Sequence, residues 1–533
     1  MKQSRIFLLI ILVFVLSRLP MLGKDIFNTD ALKWKARSYD FSTGVFTLNF
    51  EKTIQKYHPG VTLMWVGTAG IKLFNGYYSV ILHQNPPDNL VSSVFQLHFT
   101  QKFLLVIVIG IGLAFAYLAL TKIFDKKTAL LAILLLGVEP LYLALTRVFH
   151  LEGMMSTFML VSILYFYCFL LRFTTKDFVI SAVFAGFSVL TKTSALFLLP
   201  FVGLVLGMSL FVDFGGGKKK LVKVGYYFSL WLVVFLVTFV VAWPAMWTHP
   251  QLALQTMYRG ISEIGIEDEH FQFYFGSYVS NPGLTFYFVV LLLRASFWTL
   301  IGFVGAILVF RKLDIKEKKV ITYLGLFVFF YFIQLTIPTK KLDRYILPNL
   351  MVITLISSFF YNWLLAHVQI KPNVKTACLV IFGLCVILFY LPDYLSHYNP
   401  LFGGLKTGIY VIEPKWMIGI QEVKSYFKRE MKRNNIEAAP KDFSLEKLIG
   451  TGQVKNTLVV AFPEKYYTQV QYFIRDIGGW ATIYNISAQS RYATYFVFPI
   501  WDDSGPREDR FKLEFVDTIK VRGVDVYKVY KKV

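Results

Sequence analysis

The sequence predicts an α-helical polytopic membrane protein of about eleven spans, with a small extracytoplasmic α/β domain at its C-terminal end. Three observations predict it. Of 533 residues, 56% are apolar and only 17% are charged, whereas soluble domains carry about 25% charged residues. The mean hydropathy is +0.54. The apolar residues fall in runs long enough to cross a bilayer, which takes about 20 residues. This balance excludes a water-soluble enzyme and a disordered chain. The 52 Phe and 31 Tyr suit broad interfacial belts.

In chain order the runs lie at roughly 5–22, 102–121, 128–147, 154–172, 177–191, 193–212, 225–246, 284–310, 320–338, 345–366 and 375–392. The first follows Lys2 and Arg5 and resembles a signal peptide. No small-residue cleavage site follows it, so it is expected to remain as an anchor. With the N-terminus in the cytoplasm, the inside loops hold Lys122, Lys126 and Lys127, then Arg172 and Lys176, then Lys218, Lys219, Lys220 and Lys223. Next come Arg311, Lys312, Lys316, Lys318 and Lys319, and last Lys371 and Lys375. Every inside loop is basic, as the positive-inside rule requires. The net charge of +22 is thereby assigned to topology and anionic headgroups rather than to nucleic acid. The protein is expected to be multi-pass in the cell membrane, with its C-terminal segment outside.

Two domains are predicted: a transmembrane domain over 1–405, with external loops 23–101 and 248–283, and the α/β domain over 406–533. The second reads as a helix at 416–434, a strand at 458–462, a helix at 465–476, strands near 480–486 and 492–500, and a hairpin turning at Arg522-Gly523. Cys168, Cys378 and Cys385 all lie in apolar runs. The last two sit about 10 Å apart along one helix, too far for a disulfide. Gly110-Ile111-Gly112 lies inside a span with no strand before it, so it serves helix packing and not a dinucleotide. No phosphate-cradling loop is present in the sequence, so any energy a reaction needs is expected to arrive with the substrate.

The informative polar residues gather at the outer membrane boundary. Asp30 opens the stretch Asp30-Ala31-Leu32-Lys33-Trp34-Lys35-Ala36-Arg37. On a helix Asp30, Trp34 and Arg37 share a face. Asp30 reads both as a helix cap and as a catalytic carboxylate. His58, in Tyr57-His58-Pro59-Gly60, reads first as a turn histidine, with a ligand or base as the alternative. Arg147-Val148-Phe149-His150-Leu151-Glu152 is a tight external turn. It reads as a solvated turn with a local ion pair or as part of a site, and Glu152 also suits a helix N-terminus.

Lys192 interrupts a long apolar stretch at Thr191-Lys192-Thr193-Ser194. A lysine at mid-bilayer costs about 2.5–3.5 kcal/mol, so this one either snorkels to the outer interface or holds an anion. Lys340-Lys341-Leu342-Asp343-Arg344 is an outside loop that is basic against the rule. An anionic substrate would explain it, with Arg344 as the fork that grips phosphate. His270 follows the acidic residues Glu263, Glu267, Asp268 and Glu269. That cluster reads as a solvated loop, with a divalent metal as the lesser alternative. No cofactor is expected. Arg294, deep in the eighth span, reads as structural or as a phosphate ligand.

A carboxylate that takes a proton from a hydroxyl, beside cations that stabilise a leaving phosphate, is the chemistry of sugar transfer from a polyprenyl phosphate. The ordered motifs resemble the GT-C superfamily of membrane glycosyltransferases, and within it the prokaryotic dolichyl-phosphate-mannose–protein mannosyltransferase-like family. They are Asp30-Ala31 with Trp34 and Arg37, His58-Pro59-Gly60-Val61, Arg147 to Glu152, Leu190-Thr191-Lys192-Thr193 and Trp243-Pro244-Ala245-Met246-Trp247. His270 with Phe275-Gly276, Lys341-Leu342-Asp343-Arg344-Tyr345 and Tyr398-Asn399-Pro400 complete the set over about residues 1–405.

The resemblance implies an inverting hexosyltransferase with a polyprenyl-phosphate sugar donor and a hydroxyl acceptor on protein, lipid or glycan. It implies Asp30 as base, Glu152 in the sugar or acceptor site, Lys192 and Arg344 near the donor phosphate, and His270 close to the site. Many relatives have Asp-Glu where this chain has Asp30-Ala31. The rival expectations are a transporter or lipid flippase, and a non-catalytic scaffold that displays the C-terminal domain.

Overall fold

The computed structural model describes residues 3–87, 91–212, 218–262, 271–369, 371–440, 444–502 and 512–533. The first helix is α1 (Gln3–Arg18), and α2 (Ala31–Phe46) and α3 (Val61–Gly76) build the first external loop before α4 (Val91–Ile123). Asp125 caps α5 (Lys126–Gly137) by accepting the Lys127 and Thr128 amides. Glu139 breaks the run, and Pro140 restarts it as α6 (Pro140–Leu145), because proline suits a first helical turn. The hairpin of α7 (Leu151–Arg172) and α8 (Thr175–Thr191) follows, then a 3₁₀ turn at Thr193–Phe197 and α9 (Leu198–Val212).

After α10 (Lys218–Ala242) and short α11 (Ala245–Thr248), the second external loop contains α12 (Pro250–Ser262) and a hairpin of β1 (Gln272–Tyr274) and β2 (Ser277–Val279). The pair α13 (Phe286–Arg294) and α14 (Phe297–Val309) bends by 112°. A capping box of Asp314 and Glu317 starts α15 (Ile315–Thr336), and α16 (Leu347–His367) and α17 (Pro372–Tyr390) complete the bundle.

Helix α7 is buried all round from Leu151 to Phe169, and α16 from Leu347 to Phe359. A helix apolar on every side belongs inside a bundle or in lipid, and these two form the centre. The spanning windows of α10 and α17 are only 17% and 11% buried. Their apolar outer faces are what a bilayer, and not water, covers. All eleven expected runs are helical among the described residues. Among the described residues six helices are long and apolar enough to span singly, and a seventh span appears if the bent α13–α14 pair counts as one. The other four runs are short or interrupted, α5–α6 by Glu139, so the count of eleven is not reproduced by single helices.

The C-terminal unit begins after α18 (Gly404–Val411), which crosses the expected boundary at 405–406. Amphipathic α19 (Ile420–Arg433) and short α20 (Leu445–Gly450) precede β3 (Val459–Phe462), α21 (Glu464–Asp476), β4 (Trp480–Ile483), α22 (Ser487–Ser490) and β5 (Tyr495–Pro499). A final hairpin pairs β6 (Leu513–Val521) with β7 (Val524–Lys532). The sheet order is β4-β3-β5-β7-β6, parallel over the first three strands and antiparallel over the rest. This is the α/β domain the sequence predicts. The hairpin turns at Arg522 and Gly523, both at positive φ, as a tight two-residue turn requires. Arg522 reaches back to the membrane domain, donating Nε to Ser396 Oγ at 2.8 Å. Phe473 of α21 packs on Phe95 of α4 with ring centroids 5.1 Å apart. One apolar core therefore runs from bundle to domain.

Candidate active site

The turn between α6 and α7 is fixed from behind. Arg147 donates Nε to Asp25 Oδ2 at 2.9 Å and Nη2 to the Pro20 carbonyl at 2.6 Å. Lys102 pairs with the other oxygen of Asp25. Arg18 donates to Thr146 Oγ1 at 3.3 Å and to the Gly137 carbonyl at 2.8 Å. A Cβ on Gly153 would lie 2.5 Å from the Leu145 carbonyl oxygen, so only glycine lets α7 start this close to α6.

His150 is the extended residue before α7, and its ring lies between two carboxylates. Nε2 is 3.2 Å from Asp30 Oδ2, and Nδ1 faces Glu152 Oε2. Glu152 Oε1 accepts Lys192 Nζ at 2.9 Å and Arg344 Nε at 3.2 Å, while Arg344 Nη2 lies 3.9 Å from Asp30 Oδ2. Four expected residues, Asp30, Glu152, Lys192 and Arg344, thus meet around one histidine. They come from the start of α2, the start of α7, the end of α8 and the link before α16.

Trp416 covers the cluster, with its ring centroid 5.1 Å from that of His150 and 4.8 Å from Arg344 Cζ. Tyr345 lies under Lys192 Nζ at 3.7 Å. Arg344 is held by its neighbour. Arg294 Nη2 pairs with Asp343 Oδ2 at 2.6 Å, donates Nη1 to the Leu395 and His397 carbonyls, and stacks on Tyr398. Asp343 Oδ1 accepts the Arg344 amide at 2.8 Å.

Two sequence alternatives now resolve. Asp30 makes no side-chain cap to α2; its own amide donates to Asn28 Oδ1 at 2.9 Å. Lys192 does not snorkel, since it is 4% exposed and paired with Glu152. His58 serves the turn: Nδ1 is 2.8 Å from Thr193 Oγ1, and Gly60, at φ +62°, donates its amide to the Thr191 carbonyl. A Cβ on Gly60 would meet the Trp34 ring at 2.2 Å. His58 also lines a cavity of about 300 Å³ shared with Lys192, Lys340, Tyr331, Gln334 and Tyr345.

Lys341 lies elsewhere. It is bonded to Asn281 Oδ1 and the Pro338 carbonyl, at the rim of an apolar groove of about 840 Å³ between α13, α15 and α16. Arg37 stacks on Trp34 at 4.5 Å and forms no ion pair among the described residues. His270 and the acidic residues before it lie outside the described residues. Among those described, no three His, Cys, Asp or Glu side chains converge as a metal site. Sequence reasoning did not single out His150, Trp416 or Lys340 as site residues. His150 stood in plain view inside the Arg147–Glu152 turn. Nothing marked Trp416, which only the tertiary fold brings here.

Burial alone would raise the Asp30 carboxyl. The hydrogen bond and charge of His150, with the charge of Arg344, hold it below the usual carboxylate range instead. Burial disfavours protonated His150, but the charge of Glu152 and the bond to Asp30 overcome this and raise its pKa. His58 is pushed well down by burial first and then by the charge of Lys192. Asp30 is thus ionised at neutral pH, and its side chain is 29% exposed, open to a second reactant.

Residues 89–243 match the model of the family described as dolichyl-phosphate-mannose-protein mannosyltransferase. None of the curated proteins matches the chain in sequence. Among solved structures, ArnT from Cupriavidus metallidurans bound to undecaprenyl phosphate is similar at TM-score 0.47 and 11% identity, over 99% of this chain and 98% of that one. The Archaeoglobus fulgidus oligosaccharyltransferase aligns at TM-score 0.44 and 12% identity, over 93% of this chain and 69% of that one. The S. cerevisiae protein O-mannosyltransferase Pmt1-Pmt2 complex bound to its sugar donor aligns at TM-score 0.35 and 17% identity, over 48% and 34%. These scores are all below 0.5. The resemblance expected from the sequence motifs, to the dolichyl-phosphate-mannose–protein mannosyltransferase family, is met by the family match over residues 89–243.

Proposed function

We propose that this protein is an inverting glycosyltransferase. It moves a sugar from a polyprenyl-phosphate-linked donor to an acceptor hydroxyl at the outer face of the cell membrane. The observation that carries this reading is the cluster of ionised, partly exposed Asp30 against His150, Arg344, Glu152 and Lys192. The family match, to a transferase family that uses a lipid-phosphate sugar, supports the same reading and lends none to a transporter or flippase. The inside loops are basic, which supports a cytoplasmic N-terminus and an extracytoplasmic C-terminal domain.

In this mechanism Asp30 takes the proton of the acceptor hydroxyl as its oxygen attacks C1 of the sugar. The bond from C1 to the phosphate oxygen breaks on the opposite face, and its electron pair leaves with the phosphate. Lys192 and Arg344 stabilise that charge, and because both already face Glu152 they need little reorganisation. His150 steers the Asp30 carboxylate. The cavity of about 300 Å³ beside Lys192 and Lys340 suits the sugar and phosphate. The apolar groove of about 840 Å³ suits an isoprenoid chain, with Lys341 at its rim. No metal enters this scheme; the acidic residues near His270 are not drawn into it.

The test is turnover of a panel of radiolabelled polyprenyl-phosphate sugars by the purified protein and by Asp30→Asn. Release of polyprenyl phosphate by the wild type, lowered about 10²–10⁴-fold in Asp30→Asn with donor binding kept, supports the proposal. Equal turnover by both proteins removes Asp30 as base. Failure of every donor to bind or turn over removes the transferase reading.

A further inference from the structure

The parallel strands β4, β3 and β5 all end at one edge of the C-terminal sheet, and a pocket of about 320 Å³ opens there. It lies beyond the carboxyl ends of three parallel strands, the position where such sheets bind ligands. Strand β3 is followed on one side by β4 and flanked on the other by β5, so the connections diverge at this edge. Each strand supplies a residue to the pocket: Lys465 after β3, Tyr484 and Asn485 after β4, and Asp502 beyond β5. The β1–β2 hairpin of the membrane domain supplies Tyr278 from across the seam.

The chemistry of the lining selects the ligand class. Lys465 Nζ donates to Glu413 Oε2 at 2.8 Å, Asp502 Oδ2 at 3.2 Å and Tyr278 Oη at 3.0 Å. Lys415 also pairs with Glu413, at 3.3 Å. Among the described residues the cations of this pocket are thus matched by carboxylates. What remains is a half-buried Tyr484 ring, set edge-on to Phe498 at 5.2 Å, an exposed Asn485 amide and an exposed Tyr278 ring. Aromatic faces beside amide and carboxylate groups suit a ligand with apolar C–H faces and many hydroxyls. The volume falls at the small end of ligand pockets, about 300–1,000 Å³.

The pocket is also tied to the catalytic cluster. Glu413, buried beneath it, accepts from Lys465 and from Trp501 Nε1. Three residues on, Trp416 lies against His150 and Arg344. Three residues span at most about 11 Å of chain.

Resting on the transferase reading above, we infer that this pocket holds a neutral saccharide unit of the acceptor, so that the acceptor is itself a glycan or glycoconjugate. The experiment uses the full-length protein in lipid nanodiscs with no donor present. Saturation-transfer NMR is recorded with neutral disaccharides: maltose, cellobiose, lactose and mannobiose. The expected result is signal from at least one of them, with affinity about tenfold weaker in Tyr484→Ala, the loss of about 1.4 kcal/mol. Asn485→Ala, at an exposed position, is expected to weaken it too. Absence of signal from every disaccharide, or binding in both variants as strong as in the wild type, overturns the pocket. Saccharide binding that is lost in the variants, in a protein that turns over no donor, overturns the acceptor role and the transferase reading while the saccharide site stands.

Discussion

The same two chain segments cross twice at the outer boundary, and the two crossings differ. Asp25 meets Arg147, and five residues on, Asp30 meets His150, three residues beyond Arg147. At the first crossing Asp25 also takes Lys102, and all three side chains are at most 1% exposed. At the second, the Asp30 carboxylate is 29% exposed, and its partner is a titratable ring shared with Glu152. One crossing is a closed knot of fixed charges, and the other is an open one. Buried closed ion clusters hold a structure together only while every partner is present. Open ones can exchange a partner for a substrate. The closed crossing aims the α6–α7 turn, and the open one uses it.

That contrast breaks most sharply on the two aspartates. Asp30→Asn is expected to lose activity by about 10²–10⁴-fold with a much smaller loss of stability than Asp25→Asn, because its side chain is partly exposed. Asp25→Asn leaves Lys102 and Arg147 buried without a counter-charge. It is expected to lose about 3–5 kcal/mol of stability while folded molecules still turn over donor. Thermal unfolding in nanodiscs and activity per folded molecule, measured together, separate the two. If Asp25→Asn proves silent in stability and dead in activity, the division between the crossings is wrong.

A smaller effect sharpens the comparison at Arg294, which belongs to the closed type but serves the open one. Its guanidinium fixes Asp343, and Asp343 holds the Arg344 amide. Arg294→Met is expected to lower kcat by about tenfold to 10²-fold, the cost of a small misplacement of Arg344. It should also destabilise the fold, because Asp343 is left buried and unpaired. The double variant Arg294→Met with Asp343→Asn removes that charge and is expected to recover the stability. If it also recovers kcat, Arg294 acts through stability alone and not by positioning Arg344.

The helices were legible because apolar runs of spanning length are hard to write by accident. The interruptions were not: Glu139-Pro140 and Ala295-Ser296 are too short to shift a window of about 20 residues. Yet these breaks meet in the fold, where Glu139 accepts from the amide and hydroxyl of Ser296 and from Thr299. Asp30, Glu152, Lys192 and Arg344 were legible for the converse reason, since charge at a membrane boundary is costly and stands out. Lys340 and Lys341 show the limit. They are adjacent in sequence, but one lines the cavity beside Lys192 and the other the apolar groove. Composition cannot tell such neighbours apart. Trp416 sits in a segment of soluble character, where a tryptophan carries no signal until the domain docks.

The smallest expected effect is in pH, and it isolates what is open about the second crossing. The Asp30 pKa is depressed, so its folded-state contribution is present above the unfolded carboxyl value and is lost as pH falls toward the lower folded value. The His150 pKa is raised, so its contribution is complete below about 6.5, the unfolded value, and is lost as pH rises through the higher folded value. Below its raised pKa His150 holds its proton, while Asp30 is charged. Raising the pH removes one positive charge from between two carboxylates. The remaining cations, Lys192 and Arg344, are then drawn more strongly to Glu152 and Asp30, and less to a donor phosphate. The donor KM is therefore expected to rise several-fold on the alkaline side, with kcat falling less. His150→Gln keeps a hydrogen-bonding group at that position and cannot titrate, so its donor KM should be flat across the same range. An alkaline limb of equal size in both proteins would assign the titration to another group, and would leave the two crossings distinguished by exposure alone.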